Sequence, residues 1–380
     1  MLSDLQLRHF SQRNIIPRYQ YYLLGRIARV QILRGAVLLL TGFLSPFVHA
    51  DMVRTQQRQY AAEYQNTQGP LTQSPPPALA ALLEERAKTT AITYDTLDAR
   101  AGLVALTKAY DTTLEPMAAI VNDDVDIGGR HIPVRIYRPS LTGRQGVLFF
   151  IHGGGHLSGS VDVYDPVARH LALVTGNTVI AVDYRRAPEN PYPAGLTDSR
   201  DVLLQTYSLL DKHHIAYQRQ LTLVGDSGGG AFSATLAEDL QAAHPGFIHR
   251  LVLIYPSLDY TLNWPSVKEN GQGKLLDESK IRWYFDQYFQ HGESRRATSP
   301  LYRPVSKMFP ATLLFSGGLD PLRDENFAFV ARLKSLGVPV KHVHFPNVVH
   351  AYLMLESLVP KEAGATYQAI GDFVRTPRAQ

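Results

Sequence analysis

The 380-residue sequence predicts an α/β fold, a mostly parallel central sheet flanked by helices. From about residue 123 onward, short and continuously apolar runs of strand length alternate with segments of helical pattern. Strands that are apolar on both faces are typical of a parallel sheet whose two faces are covered by helices. Because ligands bind at the carboxyl ends of such strands, reactive residues are expected just after the apolar runs.

The individual elements follow from these runs. Two short strand-like runs around Gly128-Gly129 predict a hairpin that starts at Val125. The later strands are predicted at 147–151, 178–184, 221–225, 251–255, 311–316 and 340–345. The helices between and after them are predicted at 166–174, 196–213, 229–243, 325–336 and 361–374.

Two helical regions are predicted outside this alternation. Residues 51–122 form an N-terminal helical region, broken by a proline-rich linker at 69–77. The sheet domain, 123–380, is interrupted at about 257–300, where IRWYFDQYFQ carries aromatic side chains at helical spacing. Such a stripe is more often packing than a binding surface. Because it lies between two strands of the sheet, the insertion is expected to cover the ligand-binding edge.

Composition excludes several kinds of site. The sequence has no cysteine, so disulfides and thiolate metal sites are excluded. Its formal charge is +4, but residues 1–50 contain six arginines, no lysine and one acid, which is +5 and leaves −1 for the rest. The body of the protein therefore has no basic surface of the kind that binds nucleic acid.

Residues 1–50 are predicted to be a basic leader and signal peptide. The uncharged, apolar stretch 35–50 follows the arginines and ends in a small residue, so cleavage is expected after Ala50 and before Asp51. This predicts a periplasmic or secreted protein without a stable membrane span after cleavage, since a span needs about 20 apolar residues. An N-terminal membrane anchor and a buried helix are the alternatives. The basic region is unusually long, which a translation start nearer Val30 would explain.

The segment Gly225-Asp226-Ser227-Gly228-Gly229 fits the pattern G-x-S-x-G, with an apolar strand before it and a helix after it. In that context a sharp turn lifts the serine hydroxyl above the sheet, and the glycines let neighbouring backbone approach. Ser227 is therefore predicted to be a catalytic nucleophile.

A serine hydroxyl needs an adjacent base that a third group holds in place. In this architecture the partners follow in the order serine, acid, histidine, and Asp320 and His350 each come shortly after a predicted strand. Asp320 is expected to orient the imidazole, and His350 to take the serine proton. Asp324 and Glu325 are alternative acids, although acidic residues at a helix start also suit the helix dipole.

Two other patterns in the sequence are of kinds that can form ligand sites. His342 and His344 alternate on one strand face, but without an obvious third ligand they are predicted to be structural and not a metal pair. The glycine run in FIHGGGHLSGS has no P-loop lysine, and its glycines are spaced one residue too wide for a dinucleotide fingerprint. Its place after a strand and upstream of Ser227 is typical of a segment that supplies oxyanion-hole donors.

These motifs resemble the hormone-sensitive-lipase-like group of α/β hydrolases, which includes many bacterial carboxylesterases. The likeness covers about 127–351 and rests on HGGG, DYRRAPENPYPA, GDSGGG, DPLRDE and the later histidine. It implies the α/β-hydrolase fold with a helical cap built from the N-terminal region and the insertion. The triad that it implies is Ser227, Asp320 and His350. The oxyanion hole that it implies is formed by the N–H groups of Gly153, Gly154 and Gly228, with His152 structural.

Three departures from the family pattern leave the shape of the acyl pocket open. Gly228 stands where alanine is usual after the nucleophile, and His156 replaces a commonly apolar residue. Ala351-Tyr352 stands where glycine and an aromatic residue are usual. None of these changes removes a catalytic atom.

The resemblance implies a serine carboxylesterase that hydrolyses short-chain or aryl esters through an acyl-enzyme, without a metal or cofactor. One alternative is an amidase or peptidase on the same triad. Another is a catalytically silent ligand-binding protein of this fold, like the plant gibberellin receptors, which lack the triad histidine that His350 supplies here. A homodimer through helices at the sheet edge or the last strand is a further expectation from the fold.

Overall fold

The computed structural model describes residues 70–89, 94–111 and 113–376. The predicted leader, signal peptide and cleavage site lie outside these residues, and so does the first part of the predicted N-terminal helical region. Within the described residues, no helix combines the length and the apolar character that crossing a membrane requires.

The strands of the described residues form one eight-stranded sheet. In chain order they are β1 (Ala119–Ile127), β2 (Arg130–Arg138), β3 (Gln145–Ile151), β4 (Thr178–Val182), β5 (Tyr217–Asp226), β6 (Ile248–Ile254), β7 (Ala311–Leu319) and β8 (Val340–Val349). Their order across the sheet is β1-β2-β4-β3-β5-β6-β7-β8. β2 pairs antiparallel with β1 and β4, and the other neighbours are parallel. The predicted mostly parallel sheet is confirmed.

Helices cover both faces of this sheet. They are α1 (Pro77–Thr89), α2 (Thr96–Tyr110), α3 (Asp165–Thr175), α4 (Ala194–Leu204), α5 (Thr206–Lys212), α6 (Ser227–Ala243), α7 (Pro265–Asn270), α8 (Glu278–Tyr288), α9 (Arg295–Thr298), α10 (Arg323–Ser335) and α11 (Pro360–Arg375), with 3₁₀ helices at Pro300–Tyr302 and Tyr352–Leu358. Phe149 of β3 packs into a core with α4–α8 and α10, while Phe150 packs on the other face with α1, α3 and α11. Burial on both faces explains the continuous apolar runs.

Two predicted boundaries differ from the structure. The sheet begins at Ala119, earlier than the predicted hairpin, because β1 pairs with β2 along its whole length although four of its nine residues are polar. The single helix predicted at 196–213 is two helices that meet at Gln205. Each helix contributes a pair of apolar residues to the same core. The pairs are Val202 and Leu203 in α4 and Leu209 and Leu210 in α5.

Candidate active site

Ser227 lies at the turn between β5 and α6, where the sequence predicted a nucleophile elbow. Its φ angle is +48°, in the left-handed region that is unfavourable for residues other than glycine. The flanking glycines make the turn sterically feasible. A Cβ at Gly225 would lie 2.3 Å from the carbonyl oxygen of Gly229, and one at Gly229 would lie 2.0 Å from that of Ile151.

A chain of two hydrogen bonds joins Ser227 to a buried carboxylate. Oγ of Ser227 lies 2.8 Å from Nε2 of His350, and Nδ1 of His350 lies 2.8 Å from Oδ2 of Asp320. The other oxygen of Asp320 accepts a hydrogen bond from the N–H of Leu322 at 2.8 Å. The histidine and the carboxylate are both buried. This geometry can pass a proton from the hydroxyl to the imidazole while the carboxylate holds the ring.

The sheet register explains why these residues meet. Asp320 follows β7 and His350 follows β8, and the two strands are parallel neighbours with Leu319 paired to Val349. A further contact comes from Asn270 in the insertion, which donates from Nδ2 to the carbonyl oxygens of Gly318 and Asp320 at 3.1 and 3.0 Å. Sequence reasoning missed Asn270, because nothing in the local sequence marks which insertion residue reaches the acid loop.

The alternative acids point elsewhere. Asp324 forms an ion pair with Arg323 at 2.8 Å and accepts a hydrogen bond from the N–H of Ser266 at 2.9 Å. Glu325 accepts from the N–H of Leu258 at 2.6 Å, and burial raises its pKa well above the usual range. Both carboxylates therefore fasten the start of the insertion, and the contact with His350 is made by Asp320.

His342 and His344 share one hydroxyl group. Oγ of Ser316 lies 2.7 Å from Nε2 of His342 and 2.9 Å from Nδ1 of His344, whose Nε2 lies 2.9 Å from the carbonyl oxygen of Leu71. Burial lowers the pKa of both histidines, that of His344 to about 4. These contacts agree with the predicted structural role and leave the pair away from the serine site.

The glycine run lies against the nucleophile elbow, but not as predicted. The N–H of Gly153 donates to Oδ1 of Asp226 at 2.7 Å, so it is used inside the protein. This contradicts the prediction of Gly153 as an oxyanion donor. No hydrogen bond among the described residues uses the N–H of Gly154 or Gly155, and both lie at positive φ. A Cβ at Gly154 would lie 2.2 Å from the carbonyl oxygen of Ser158, which only glycine avoids.

Asp226, which stands at a variable position of the G-x-S-x-G motif, makes contacts that the motif does not predict. Besides Gly153 it accepts a hydrogen bond from the hydroxyl of Tyr164 at 3.1 Å. Burial raises its pKa to about 6, although these two donors and the nearby His152 act in the opposite direction. Asp226 therefore fastens the glycine run to the elbow. His152, with its ring stacked between Tyr164 and Tyr184, is placed as a packing residue, as expected.

A cavity of about 270 Å³ opens at this point of the sheet edge. Ser227 and His350 line it together with Gly154, Gly155 and Gly228. Its other walls come from the helical regions outside the sheet, with apolar residues Leu103, Leu106, Ile281 and Phe285 and charged residues Arg86, Asp98, Asp277 and Lys280. The reactive serine therefore faces a mainly apolar chamber with charged groups of both signs.

The sequence model of a protein family with the α/β-hydrolase fold matches residues 148–354. The chain belongs to this family. The ethyl acetate hydrolase of Pseudomonas putida is 34% identical over 239 residues, which cover 61% of the chain and 74% of that enzyme. The carboxylesterase NlhH of Mycobacterium tuberculosis is 33% identical over 256 residues, covering 65% of the chain and 79% of that enzyme.

Solved structures agree with these relatives. An esterase of Pyrobaculum calidifontis superposes on this α/β hydrolase with a TM-score of 0.73 at 27% identity, covering 79% of the chain and 98% of that esterase. The predicted membership of the hormone-sensitive-lipase-like group is confirmed. This α/β hydrolase is a carboxylic ester hydrolase.

Proposed function

We propose that the protein hydrolyses short-chain or aryl carboxylic esters through an acyl-enzyme on Ser227. The observation that carries this proposal is the hydrogen-bonded chain from Ser227 through His350 to Asp320, which opens into the cavity. These two hydrogen bonds also argue against the alternative of a catalytically silent ligand-binding protein, because a protein that only binds a ligand has no use for an activated hydroxyl.

Acylation begins when Oγ of Ser227 attacks the ester carbonyl carbon and Nε2 of His350 takes the hydroxyl proton. The carbonyl oxygen becomes a tetrahedral oxyanion. When the intermediate collapses, the carbon–oxygen bond to the alcohol breaks, and His350 returns its proton to the leaving oxygen. Asp320 stabilises the imidazolium that forms in between and fixes the ring orientation. The products of this half-reaction are the alcohol and an acyl ester of Ser227.

In this proposal the oxyanion is bound by N–H groups of Gly154, Gly155 and Gly228. Gly155 replaces Gly153, whose N–H already donates to Asp226. Gly228 occupies the first turn of α6, where backbone N–H groups lack partners within the helix and the helix dipole favours negative charge. Loss of one such donor typically costs on the order of 3 kcal/mol of transition-state stabilisation.

Deacylation repeats these steps with water. His350 takes a proton from a water molecule, whose oxygen attacks the acyl carbonyl carbon at the position the alcohol has left. The bond to Oγ of Ser227 then breaks, and the same proton returns to Oγ. The carboxylic acid is released, and the hydroxyl and the neutral imidazole are restored, so that protons and bonds balance over the cycle.

The preference for short acyl groups rests on the size of the cavity. A volume of about 270 Å³ with leucine and aromatic walls suits a small ester better than a long triglyceride chain. One relative is named for the hydrolysis of ethyl acetate, which is a short-chain ester. Aryl esters fit the same expectation, because Phe285 and Tyr284 offer flat apolar contact.

A chain-length series of p-nitrophenyl esters tests the proposal, with Ser227→Ala beside the wild type. We expect the highest kcat/KM for acetate to butyrate and a loss of about 10⁴-fold or more in the variant, since removal of a serine nucleophile leaves only binding and oxyanion contributions. Ser233→Ala is a matched control, because this buried serine lies on the same helix and its Oγ forms no hydrogen bond among the described residues. Equal rates for Ser227→Ala and wild type would contradict the proposed nucleophile.

The N-terminal helical region and the insertion in the sheet domain form a cap in this proposal. Residues of α1 and α2, from the predicted region 51–122, and of the predicted insertion at about 257–300 line the same cavity. Arg100 of α2 fastens the N-terminal part, since it donates to the carbonyl oxygens of Leu157 and Ala187 at 3.0 Å and pairs with Glu189. The predicted homodimer stays a prediction.

Export remains part of the proposal on sequence grounds. The order of basic leader, apolar stretch and small residue favours cleavage after Ala50 and a periplasmic or secreted enzyme. Amino-terminal sequencing of protein recovered from the cell envelope or medium should find Asp51 as the first residue. An intact start at Met1 on exported protein would instead support the anchored alternative.

A further inference from the structure

Two departures from the family pattern meet in the structure. A Cβ added at Gly228 would lie 3.1 Å from Cε1 and 3.2 Å from Nδ1 of His156, closer than carbon atoms ordinarily pack. The imidazole edge therefore occupies the space beside the nucleophile that an alanine methyl group would need. The glycine at 228 and the histidine at 156 act as one coupled feature of the wall next to Ser227.

The orientation of the His156 ring is fixed by its neighbours. The ring stacks on Phe232 at 4.6 Å and on Tyr288 at 4.1 Å between centroids, and only 1% of the residue is exposed. Its Nε2 lies 3.2 Å from the hydroxyl oxygen of Tyr260, which is buried as well. With these two stacking contacts and one nitrogen held, the Nδ1 edge stays beside Gly228.

We assign His156 the tautomer in which Nε2 accepts from the hydroxyl of Tyr260 and Nδ1 carries the proton. Burial raises the pKa of Tyr260, so its hydroxyl keeps the proton, and burial lowers the pKa of His156 to about 3, so its ring is neutral. Nε2 of His156 is the hydrogen-bond partner of the Tyr260 hydroxyl among the described residues. When the hydroxyl donates to Nε2, the proton of the neutral imidazole lies on Nδ1.

This N–H group has no acceptor among the described residues. Nδ1 of His156 is buried without a hydrogen-bond partner, which typically costs about 1–3 kcal/mol. His156 and Gly228 both line the cavity that contains Ser227. A buried donor without an acceptor thus stands in the wall of the reaction cavity, at a position where the family commonly has an apolar residue.

The two histidines of the cavity belong to different walls. His350 packs against Tyr255 and has to reach the leaving alcohol, so the alcohol part of the ester lies on its side. His156 packs against the aromatic side chains of α6, α8 and the loop after β6. We place the acyl part, which extends from the other side of the carbonyl carbon, against His156.

We propose that His156 is a specificity-determining residue whose Nδ1–H binds an ether or hydroxyl oxygen carried by the acyl group close to the scissile carbonyl. The inference rests on the proposed esterase function. It assigns to this enzyme oxygen-bearing short acyl groups in preference to purely aliphatic ones of the same length.

The test exchanges one methylene group for one oxygen. p-Nitrophenyl methoxyacetate and p-nitrophenyl butyrate have acyl chains of equal length, and the ratio of their kcat/KM values is measured in wild type and His156→Phe. Comparing ratios cancels the different intrinsic reactivity of the two esters. We expect the ratio to fall about tenfold in the variant, the loss of one hydrogen bond of about 1.4 kcal/mol. A ratio within twofold of wild type overturns the proposal, including the case in which both esters lose rate equally.

Two further variants keep the test decisive if His156→Phe does not fold. In Gly228→Ala the added methyl group displaces the Nδ1 edge of His156, so the same ratio of kcat/KM values should fall. Tyr260→Phe removes the donor that fixes the tautomer and should lower it by a smaller factor. An unchanged ratio in both variants overturns the proposal. His170→Phe is the control, because His170 also stacks on a tyrosine, Tyr367 at 4.6 Å, but does not line the cavity.

The outcomes separate this inference from the function on which it rests. If hydrolysis of both esters depends on Ser227 and the ratio does not respond, the esterase function stands and the role of His156 fails. If hydrolysis does not depend on Ser227, the proposed function fails first. A ratio that falls equally in His170→Phe shows a general effect of core disturbance and also overturns the proposal.

Discussion

Among the described residues, the hydroxyls of Ser227 and Ser316 both contact histidine rings at nearly the same distance, but Ser227 lines the cavity and Ser316 does not. Ser227 lies 2.8 Å from His350, and Ser316 lies 2.7 and 2.9 Å from His342 and His344. The difference lies in what holds the far side of the imidazole. His350 contacts a carboxylate, whereas His344 contacts the carbonyl oxygen of Leu71. A hydrogen bond between serine and histidine is therefore a weak sign of catalysis on its own.

The proton positions show why the second contact is inert. A carbonyl oxygen only accepts, so His344 donates to Leu71 from Nε2, and its Nδ1 then accepts the Ser316 hydroxyl proton. No negatively charged group is hydrogen-bonded to His344 among the described residues, and burial lowers its pKa to about 4 although the charge of Asp324 acts in the opposite direction. In the cavity, the Asp320 carboxylate supplies that charge. The comparison indicates that the acid, more than the distance, distinguishes a reactive pair from a structural one.

The variant Asp320→Asn removes the difference between the two histidines most directly, because it gives His350 a neutral partner like that of His344. We expect kcat/KM for p-nitrophenyl butyrate to fall about 10³- to 10⁴-fold, because the amide no longer stabilises the imidazolium and can hold the wrong tautomer. The measurement is steady-state kinetics together with circular dichroism to establish that the variant is folded. A loss below about tenfold in folded protein would show that the carboxylate is not the distinguishing element.

The structural contact of Ser316 with His342 and His344 is tested by the variant Ser316→Ala. Removing the hydroxyl leaves nitrogen atoms of His342 and His344 without their shared partner, so the free energy of unfolding should fall by about 1–3 kcal/mol. The rate should change little, since Ser316 does not line the cavity. Urea unfolding and the same ester assay give the two numbers. A rate loss approaching that of Ser227→Ala, with stability unchanged, would mean that the roles assigned to the two serines are wrong.

Sequence reasoning reached the parts of the site that topology determines. Ser227, Asp320 and His350 each follow a strand, and neighbouring parallel strands bring such positions together whatever the side chains between them are. The positions of the strands along the chain and the mostly parallel character of the sheet follow from the same apolar runs. This is why motif spacing and hydrophobic pattern sufficed for the sheet and for the three residues that the structure places in contact.

The remaining parts depend on side-chain contacts that no local pattern contains. In the sequence Gly153 is equivalent to its glycine neighbours, but in the structure its N–H donates a hydrogen bond to the carboxylate of Asp226. Asn270 reaches the acid loop only because the insertion folds back over it. The contact between His156 and Gly228 joins residues that are far apart in sequence, so the two departures could only be noted separately.

The smallest expected effect concerns the structural histidines, which make the free energy of unfolding depend on pH. The pKa of His344 in the folded protein, about 4, lies below the value of about 6.5 in an unfolded chain, so the unfolded state binds a proton that the folded state excludes. The contribution of this neutral histidine is fully present above about pH 6.5 and is lost as the pH falls toward 4.

His344→Gln removes this titration and keeps an amide donor for Leu71. Between pH 7 and pH 5, we expect the free energy of unfolding to fall less steeply in the variant than in wild type, by up to about 1 kcal/mol per pH unit. His131→Gln is the control, because it makes the same exchange at an exposed position of β2. Chemical unfolding at several pH values gives the slopes. Parallel slopes for wild type and His344→Gln would contradict the buried, neutral state on which the contrast with His350 depends.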